Sequence, residues 1–235
     1  MGIMKEFFNQ LKINFSGSDK PVTTPTEDYV VGLVHTILGD GNKWHSKFSE
    51  YNISTLLGGK PVDGHMCFPD GAYFLVSSSN EEFMSEFVGN LYKLHDKLQL
   101  RDMKMTGFSF SANDICSGYD IVRTISPLLL KVKGKRIVTY KDDDFIELLT
   151  KQCKAKLLHK GFTENDLKSF SIEPFKWEGA SVKITKRKNY KLPASMVMMV
   201  VKGKPKCRKA LYEMGLGSST GYCYGTVHIE RIHQD

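Results

Sequence analysis

The sequence predicts an α+β protein built from two tandem ferredoxin-like (RRM-like) domains, each an antiparallel sheet with helices packed on one face. The predicted elements of the first half follow the order β-α-β-β-α-β, which is the ferredoxin-like arrangement, and much the same order recurs in the second half. A length of 235 residues suits two domains of roughly 100 residues each. We place the boundary near Asn113–Gly118 and assign 1–116 to the N-terminal domain and 117–235 to the C-terminal domain.

The first half begins with a strand in which Leu11, Ile13 and Phe15 alternate with polar residues, a period of two. Capping residues and glycines then mark the ends of the helices. The predicted elements are a helix with Thr26 as its N-cap that stops at 39–41, a short helix Asn42–Phe48, strands Ile53–Leu57 and Ala72–Ser77, a helix that starts in a capping box at 79–82, and a strand Met103–Phe110.

The second half is a less regular copy, without visible sequence self-similarity to the first. Its predicted elements are strands Ile121–Val132 and Arg136–Tyr140, a helix Asp142–His159, strands Ser181–Lys188 and Ser195–Val201, a helix Pro205–Met214 and a final strand Thr226–Ile232.

The composition argues against a membrane or secreted protein. No run of 18 apolar residues is present, and the N-terminus lacks the basic and apolar regions of a signal peptide. Five scattered cysteines show no CxxC spacing, which disfavours a zinc site or a disulfide framework. We therefore expect a cytoplasmic protein with no membrane contact, no bound metal and no cofactor.

The positive charge is concentrated in the second half. Residues 1–125 hold 11 Lys or Arg and 15 Asp or Glu, whereas residues 126–235 hold 22 and 11. The segment Ser181–Lys209 has 10 basic residues and no acidic one. Basic surface of this density favours a polyanionic partner such as nucleic acid. The alternatives are a solvated surface and a membrane surface, and the segment forms no obvious basic amphipathic helix that would favour the membrane.

A glycine-rich stretch spans 215–225, with glycines at 215, 217, 221 and 225. Glycine lets backbone amides approach a phosphate closely. A dinucleotide-binding loop lies between a strand and a following helix, whereas this stretch follows a helix and precedes a strand. No Gly-Lys-Ser/Thr of a P-loop is present. A plain helix-to-strand turn is the structural alternative, with Gly215 as the helix C-cap.

This stretch resembles the C-terminal glycine loop of the RAMP proteins, and most closely that of the Cas6 family of CRISPR repeat-processing endoribonucleases. Weaker likenesses lie at 33–38 and 44–47, which resemble the family's first helix and catalytic turn, at 53–57, and at Ile125-Ser126-Pro127. The resemblance implies a metal-independent endoribonuclease whose substrate is CRISPR repeat RNA (pre-crRNA). The attack of the 2′-OH on the adjacent phosphorus would leave a 2′,3′-cyclic phosphate and a 5′-OH.

Such a reaction needs a general base, a general acid and a cation near the phosphate, and histidine and lysine suit these roles. By the resemblance, His45 matches the family's catalytic histidine, and His35 matches a position that often holds tyrosine or histidine. Lys47 is the candidate cation. The glycines at 39 and 41 lie between the two histidines, so the chain can fold back and bring them together. A surface residue at His45 and a core-edge residue at His35 are the structural alternatives.

The family also implies an RNA-binding role for the glycine loop and for the basic segment, where cations would grip phosphates. The predicted RNA-binding residues are Lys183, Lys186, Arg187, Lys188, Lys191, Gly215, Gly217, Ser218, Ser219, Gly221 and Gly225. A non-catalytic RAMP subunit that binds guide RNA in an effector complex would share this loop without needing His45. The aromatic motif of an ordinary RRM protein is absent. The sequence leaves open whether the chain binds other CRISPR effector subunits or a second copy of itself.

Overall fold

The computed structural model of the chain describes residues 7–22, 25–44, 49–63, 65–134, 136–187 and 190–231, without the side chains of 186 and 187. In these ranges no helix is long and apolar enough to cross a membrane. The N-terminal half contains β1 (Phe7–Phe15), β2 (Ser18–Val22), α1 (Glu27–Leu38), β3 (Tyr51–Ile53), β4 (Lys60–Val62), β5 (His65–Phe68), β6 (Ala72–Ser78), α2 (Glu81–Leu94), β7 (Gln99–Leu100) and β8 (Met103–Asp114).

Residues 115–118 connect β8 to the C-terminal half. This half contains β9 (Tyr119–Thr124), β10 (Leu130–Lys131), β11 (Ile137–Val138), α3 (Phe145–His159), β12 (Ser171–Phe175), β13 (Ser181–Arg187), β14 (Tyr190–Met196), β15 (Met198–Lys202), α4 (Pro205–Met214) and β16 (Val227–Glu230).

Each half has one principal antiparallel sheet, and the two sheets share a topology. The first has the order β3-β6-β1-β8-β7, and the second has the order β12-β15-β9-β16. With the four main strands of each half numbered along the chain, both sheets have the order second, third, first, fourth. This repeated order confirms the predicted fold class of two tandem ferredoxin-like units. The strands β13 and β14 form a separate two-stranded hairpin beside the second sheet.

The two faces of β1 belong to different cores because side chains alternate along a strand. Leu11 and Ile13 are fully buried in the core that also contains the apolar side chains of α1 and α2. On the other face, Phe8 belongs to the core of the second half and meets Tyr212 of α4 edge to face, with ring centroids 5.7 Å apart. Gln10 donates from Nε2 to the backbone oxygen of Val227 (3.3 Å). The first sheet is therefore covered by its own helices on one face and, in part, by the second half on the other.

Several predicted strand boundaries in the second half were wrong. The predicted strand Ile121–Val132 ends at Thr124, because the backbone amides of Ile125 and Ser126 turn to the oxygen of Thr226 and Pro127 has no amide to donate. The predicted strand Ser195–Val201 is divided at Val197, where the chain passes from the hairpin to the principal sheet and bonds Thr124 instead.

Three smaller differences follow from local chemistry. The strand β12 was not predicted; it contains Pro174, which an edge strand tolerates. The N-cap of α2 is Asn80 rather than Ser79, and the Asn80 side chain accepts from the amides of Glu82 (3.0 Å) and Phe83 (3.2 Å). The predicted helix Asn42–Phe48 is a turn over its described part, 42–44, and its remainder lies outside the described residues.

A fully buried ion pair fixes α4 against the second sheet and the connecting segment. Arg208 Nη1 lies 2.5 Å from Asp120 Oδ2, with both side chains completely buried. The Tyr212 hydroxyl donates to the same carboxylate (3.0 Å), and the backbone amide of Cys116 donates to its other oxygen (3.0 Å). Arg208 also donates to the Cys116 carbonyl oxygen. The network therefore joins the connecting segment to both β9 and α4.

Replacing Asp120 with Asn should lower the free energy of unfolding by about 3–5 kcal/mol, because it leaves the Arg208 charge buried without its counter-ion. The control is Glu173→Gln, which breaks the exposed pair with Lys202 (2.6 Å) and should cost less than about 1 kcal/mol. Urea unfolding of the two variants measures the difference. Equal small losses would show that the buried pair contributes no more than an exposed one.

Candidate functional site

The stretch 215–225, called here the glycine loop, runs from the end of α4 to β16. Its backbone is tightly enclosed at Gly217 and Gly225, which have φ values of 75° and 69°. A Cβ on Gly217 would lie 2.6 Å from the oxygen of Leu129, and one on Gly225 would lie 1.8 Å from the oxygen of Leu216. Only glycine fits these two positions without displacing backbone. Part of the glycine signature is thus a packing requirement of the loop itself.

The glycine loop is hydrogen-bonded to the N-terminal half. The buried Asn52 side chain donates from Nδ2 to the backbone oxygens of Tyr224 (2.8 Å) and Thr220 (3.3 Å). In return, the Thr220 hydroxyl donates to the oxygen of Tyr51 (3.2 Å). The Tyr222 hydroxyl donates to the carboxylate of Asp28 in the first turn of α1. Both β3 and α1 are therefore attached to this loop.

The same loop is bonded to the C-terminal half. The amide of Ser218 donates to the oxygen of Leu129 (2.7 Å), and the Ser218 hydroxyl accepts from Gln152 Nε2 of α3 (2.9 Å). The Tyr224 and Thr185 hydroxyls lie 2.6 Å apart, which connects the loop to the β13–β14 hairpin. One short segment therefore contacts both halves of the chain, including α3 and the β13–β14 hairpin.

Between the glycine loop and α3 lies a cleft of about 490 Å³, called here the α3 cleft. Gln152, Lys156 and His159 line it from α3, residues 217–220 line it from the loop, and Ser49 also contributes. The Lys156 side chain donates from Nζ to the oxygen of Gly215 (2.9 Å). Burial lowers the pKa of Lys156 to about 8, so the ammonium form still predominates at pH 7.

Lys156 was not among the predicted site residues, although the sequence carries a signal for it. The buried apolar residues of α3 include Leu149 and Cys153, and Lys156 lies seven and three residues after them. Helical periodicity therefore puts this lysine on the buried face of α3. A charged residue within an apolar stripe indicates a special environment.

Of the predicted catalytic residues, the structure describes only His35. It lies half-buried in the last turn of α1, where its backbone oxygen accepts from the amide of Gly39 (2.9 Å). His45 and Lys47 lie outside the described residues, and their catalytic roles remain predictions. The chain resumes at Ser49, which lies against the glycine loop: a Cβ on Gly221 would be 2.7 Å from Ser49 Oγ.

Glu50, the residue after Ser49, connects the chain at this point to Lys160, the residue that follows α3. Its carboxylate accepts from Lys160 Nζ (3.0 Å) and from Asn80 Nδ2 (2.9 Å). These partners, together with the positive potential of His159, hold the pKa of Glu50 below its ordinary value despite the opposing effect of desolvation. The residues that follow the predicted catalytic segment are therefore held between α2, α3 and the glycine loop.

The predicted RNA-binding residues of the loop differ in exposure. Gly215, Gly217 and Gly225 are buried, whereas Ser218, Ser219 and Gly221 are half-exposed. The two serines line the α3 cleft. Contact of these residues with RNA remains a prediction.

The basic segment is divided between internal ion pairs and an exposed hairpin. Arg208 is buried with Asp120, Lys202 pairs with Glu173, and both Lys204 and Lys206 lie 2.9 Å from Asp166. These four cations stabilise the fold and are at least partly neutralised. The concentration of basic residues therefore overstates the charge that is available to a partner.

The hairpin of β13 and β14 carries five of the other basic residues of this segment, and Lys209 lies in α4. Lys183 and Lys191 are exposed, as are the large side chains of Ile184 (60% exposed) and Tyr190 (72% exposed). Lys186 and Arg187 belong to β13, but their side chains are not described, and Lys188 lies outside the described residues. Exposed lysines beside exposed aromatic and aliphatic side chains are compatible with a nucleic-acid surface.

Metal binding was not predicted from the sequence. Within the ranges given above, no three His, Cys, Asp or Glu side chains are grouped closely enough to hold a metal ion.

Comparison with known proteins shows a matching family and 55 similar chains among solved structures. The family model of the C-terminal part of the CRISPR-associated protein Cas6 matches residues 111–229, about half of the chain. No curated protein sequence matches.

Among solved structures, the product of a Cas6-related gene from Pyrococcus furiosus has a TM-score of 0.80 at 18% identity, over 98% of this chain and 100% of that one. A RAMP protein that binds different RNA substrates has a TM-score of 0.76 at 17% identity, over 95% and 100%. A Cas6 protein in a product complex has a TM-score of 0.64 at 13% identity, over 94% and 98%. At these identities the likeness establishes a common fold.

Replacing Gly217 with Ala should lower the free energy of unfolding by about 1–3 kcal/mol, because the side chain is forced against the Leu129 oxygen at a positive φ. Gly32→Ala is the matched control, since Gly32 lies in α1 with open space around its Cβ position. That variant should gain up to about 1 kcal/mol from the higher helix propensity of Ala. Denaturant titration measures both, and a Gly217→Ala protein as stable as the parent would refute the enclosed packing of the loop.

Proposed function

The chain belongs to the Cas6 family, and we propose on that basis that it is a metal-independent endoribonuclease that cuts CRISPR repeat RNA into guide RNAs. The reaction would proceed by attack of the ribose 2′-OH on the adjacent phosphorus, giving a 2′,3′-cyclic phosphate and a 5′-OH. Its substrate supplies the nucleophile, so the protein needs only to position the RNA, move two protons and stabilise the phosphate charge.

The observation that carries this proposal beyond family membership is the contact of Ser49 with the glycine loop. His45 precedes Ser49 by four residues, and consecutive Cα atoms are 3.8 Å apart. Four residues of fully extended chain span about 15 Å, so the proposal requires no long connection between His45 and the loop. Asp28 accepts a hydrogen bond from Tyr222 of the loop. His35 lies seven residues further along α1, a rise of about 10 Å along the helix. These short separations from the loop support the proposal that both histidines act on an RNA bound beside it.

In this proposal His45 is the principal general acid or base, since imidazole titrates near neutral pH. His35 is its candidate partner, and Lys47 would stabilise the phosphate as negative charge develops on its oxygens. The five cationic side chains of the β13–β14 hairpin would hold the RNA backbone, because phosphate contacts supply most of the affinity in such complexes.

The test is single-turnover cleavage of the repeat RNA from the same genome, in excess EDTA, beside a filter-binding titration. The parent protein should cleave, and His45→Ala should cleave about 10²–10⁴-fold more slowly, the usual contribution of a positioned acid or base. Its RNA affinity should change little, because the phosphate contacts remain. His228→Ala is a control that replaces a half-exposed histidine of β16.

Each other outcome has a defined meaning. Activity that EDTA abolishes and magnesium restores would refute the metal-independent mechanism. Normal cleavage by His45→Ala together with an inactive His35→Ala would exchange the roles of the two histidines. Tight binding without any cleavage by the parent protein would support the alternative of a non-catalytic RAMP-type subunit that binds guide RNA.

A further inference from the structure

Lys156 of α3 is a buried charged residue, with only 9% of its surface exposed. A buried ammonium is costly unless an anion or several hydrogen-bond acceptors compensate it. Within the described ranges Lys156 has no ion pair, and its one hydrogen bond is to the neutral carbonyl oxygen of Gly215. An ammonium has three N–H donors, so this bond uses only part of its capacity.

A second nitrogen-bearing side chain lies in the α3 cleft beside Lys156. His159, one turn later on α3, lines the same cleft and is exposed. Glu50 interacts electrostatically with His159, and its carboxylate pairs with Lys160 at 3.0 Å. Glu50 is also absent from the lining of the cleft, which contains no acidic side chain among the residues described. Among the described residues, the α3 cleft therefore holds the Lys156 ammonium and no acidic side chain.

The opposite wall of the cleft has the chemistry of an anion site. It is formed by the small residues 217–220, and the two serines there are half-exposed. Gln152 holds Ser218 in place through its hydroxyl, and the backbone is left-handed at Gly217 and Ser219. The amides of Gly217 and Ser218 are already bonded, to Cys153 and to the Leu129 oxygen, so the groups that this wall offers to an anion are the hydroxyls of Ser218 and Ser219. A buried ammonium on one wall and a small polar loop on the other fit a tetrahedral oxyanion.

We infer that the α3 cleft binds one backbone phosphate of the RNA, held by the Lys156 ammonium and by His159. This inference rests on the proposed function for the identity of the ligand, but the anion site itself can be tested without RNA. It makes α3 part of the RNA-binding surface, in addition to the basic hairpin. Because Lys156 also bonds the Gly215 oxygen, the bound phosphate would be fixed relative to the glycine loop.

The experiment compares the parent protein with Lys156→Met, which keeps the length of the side chain and removes its charge. Lys151→Met is the matched control, since Lys151 is an exposed lysine of the same helix outside the cleft lining. Thermal unfolding at pH 7 is measured with sodium phosphate and with sodium chloride of equal ionic strength. Phosphate should raise the Tm of the parent and of Lys151→Met above the chloride value, and should give Lys156→Met no such increase.

The second measurement is the affinity for repeat RNA as a function of salt. Lys156→Met should bind about tenfold more weakly, as expected for the loss of one charge-assisted hydrogen bond. The slope of log affinity against log salt should fall by about 0.7–0.9. Lys151→Met should leave both values near those of the parent. Equal phosphate protection, RNA affinity and slope in Lys156→Met and the parent would overturn the inference.

A further variant keeps the test decisive if Lys156→Met does not fold. His159→Gln changes an exposed side chain, so it should fold like the parent and bind RNA several-fold more weakly; unchanged affinity in this variant would then overturn the site. The experiments also distinguish a failure of this inference from a failure of the proposed function. If the parent cleaves no repeat RNA but phosphate protection still depends on Lys156, the anion site stands and the proposed cleavage falls.

Discussion

The structure depends above all on the hydrogen bonds that the glycine loop makes to both halves of the chain. Asn52 and Tyr51 bind it from the first sheet, and Ser218 and Tyr224 connect it to the second half. Its backbone can approach both only because glycines stand where a Cβ would collide with neighbouring atoms. With the packing of Phe8 in the second core, these bonds make the two ferredoxin-like domains a single structural unit.

This arrangement explains why the residues of the candidate site lie where the two halves of the chain meet, at the glycine loop. Ser49, which follows the predicted catalytic segment, and the α3 cleft both adjoin the glycine loop. The basic hairpin reaches that loop through the Thr185–Tyr224 hydroxyl contact. In the proposed function, binding energy from the second half would orient RNA toward residues of the first, which is the role expected of remote contacts in catalysis.

The fold could be predicted from the sequence because periodicity and capping are local signals; α4 was predicted with its exact limits, Pro205–Met214. Periodicity and capping do not reveal hydrogen bonds between distant segments. The end of β9 before Pro127 and the division of the predicted strand Ser195–Val201 at Val197 were therefore not predicted. Charge counting could not tell Arg208, which is buried with Asp120, from the exposed Lys183. The glycine loop was recognised by its pattern, but Asn52 and Lys156 are distant from it in sequence, so their contacts with the loop are visible only in three dimensions.

The most direct test of the single structural unit uses the two tryptophans, because Trp44 packs on Phe83 in the first core and Trp177 packs on Phe145 in the second. Trp177→Phe leaves fluorescence that reports only the N-terminal half, and Trp44→Phe leaves a reporter of the C-terminal half. Urea unfolding of each variant is followed by fluorescence and by circular dichroism. The account predicts that the two signals coincide in each variant, as in a cooperative transition. Fluorescence that changes at a different urea concentration from the circular dichroism would show that the domains unfold independently and would contradict it.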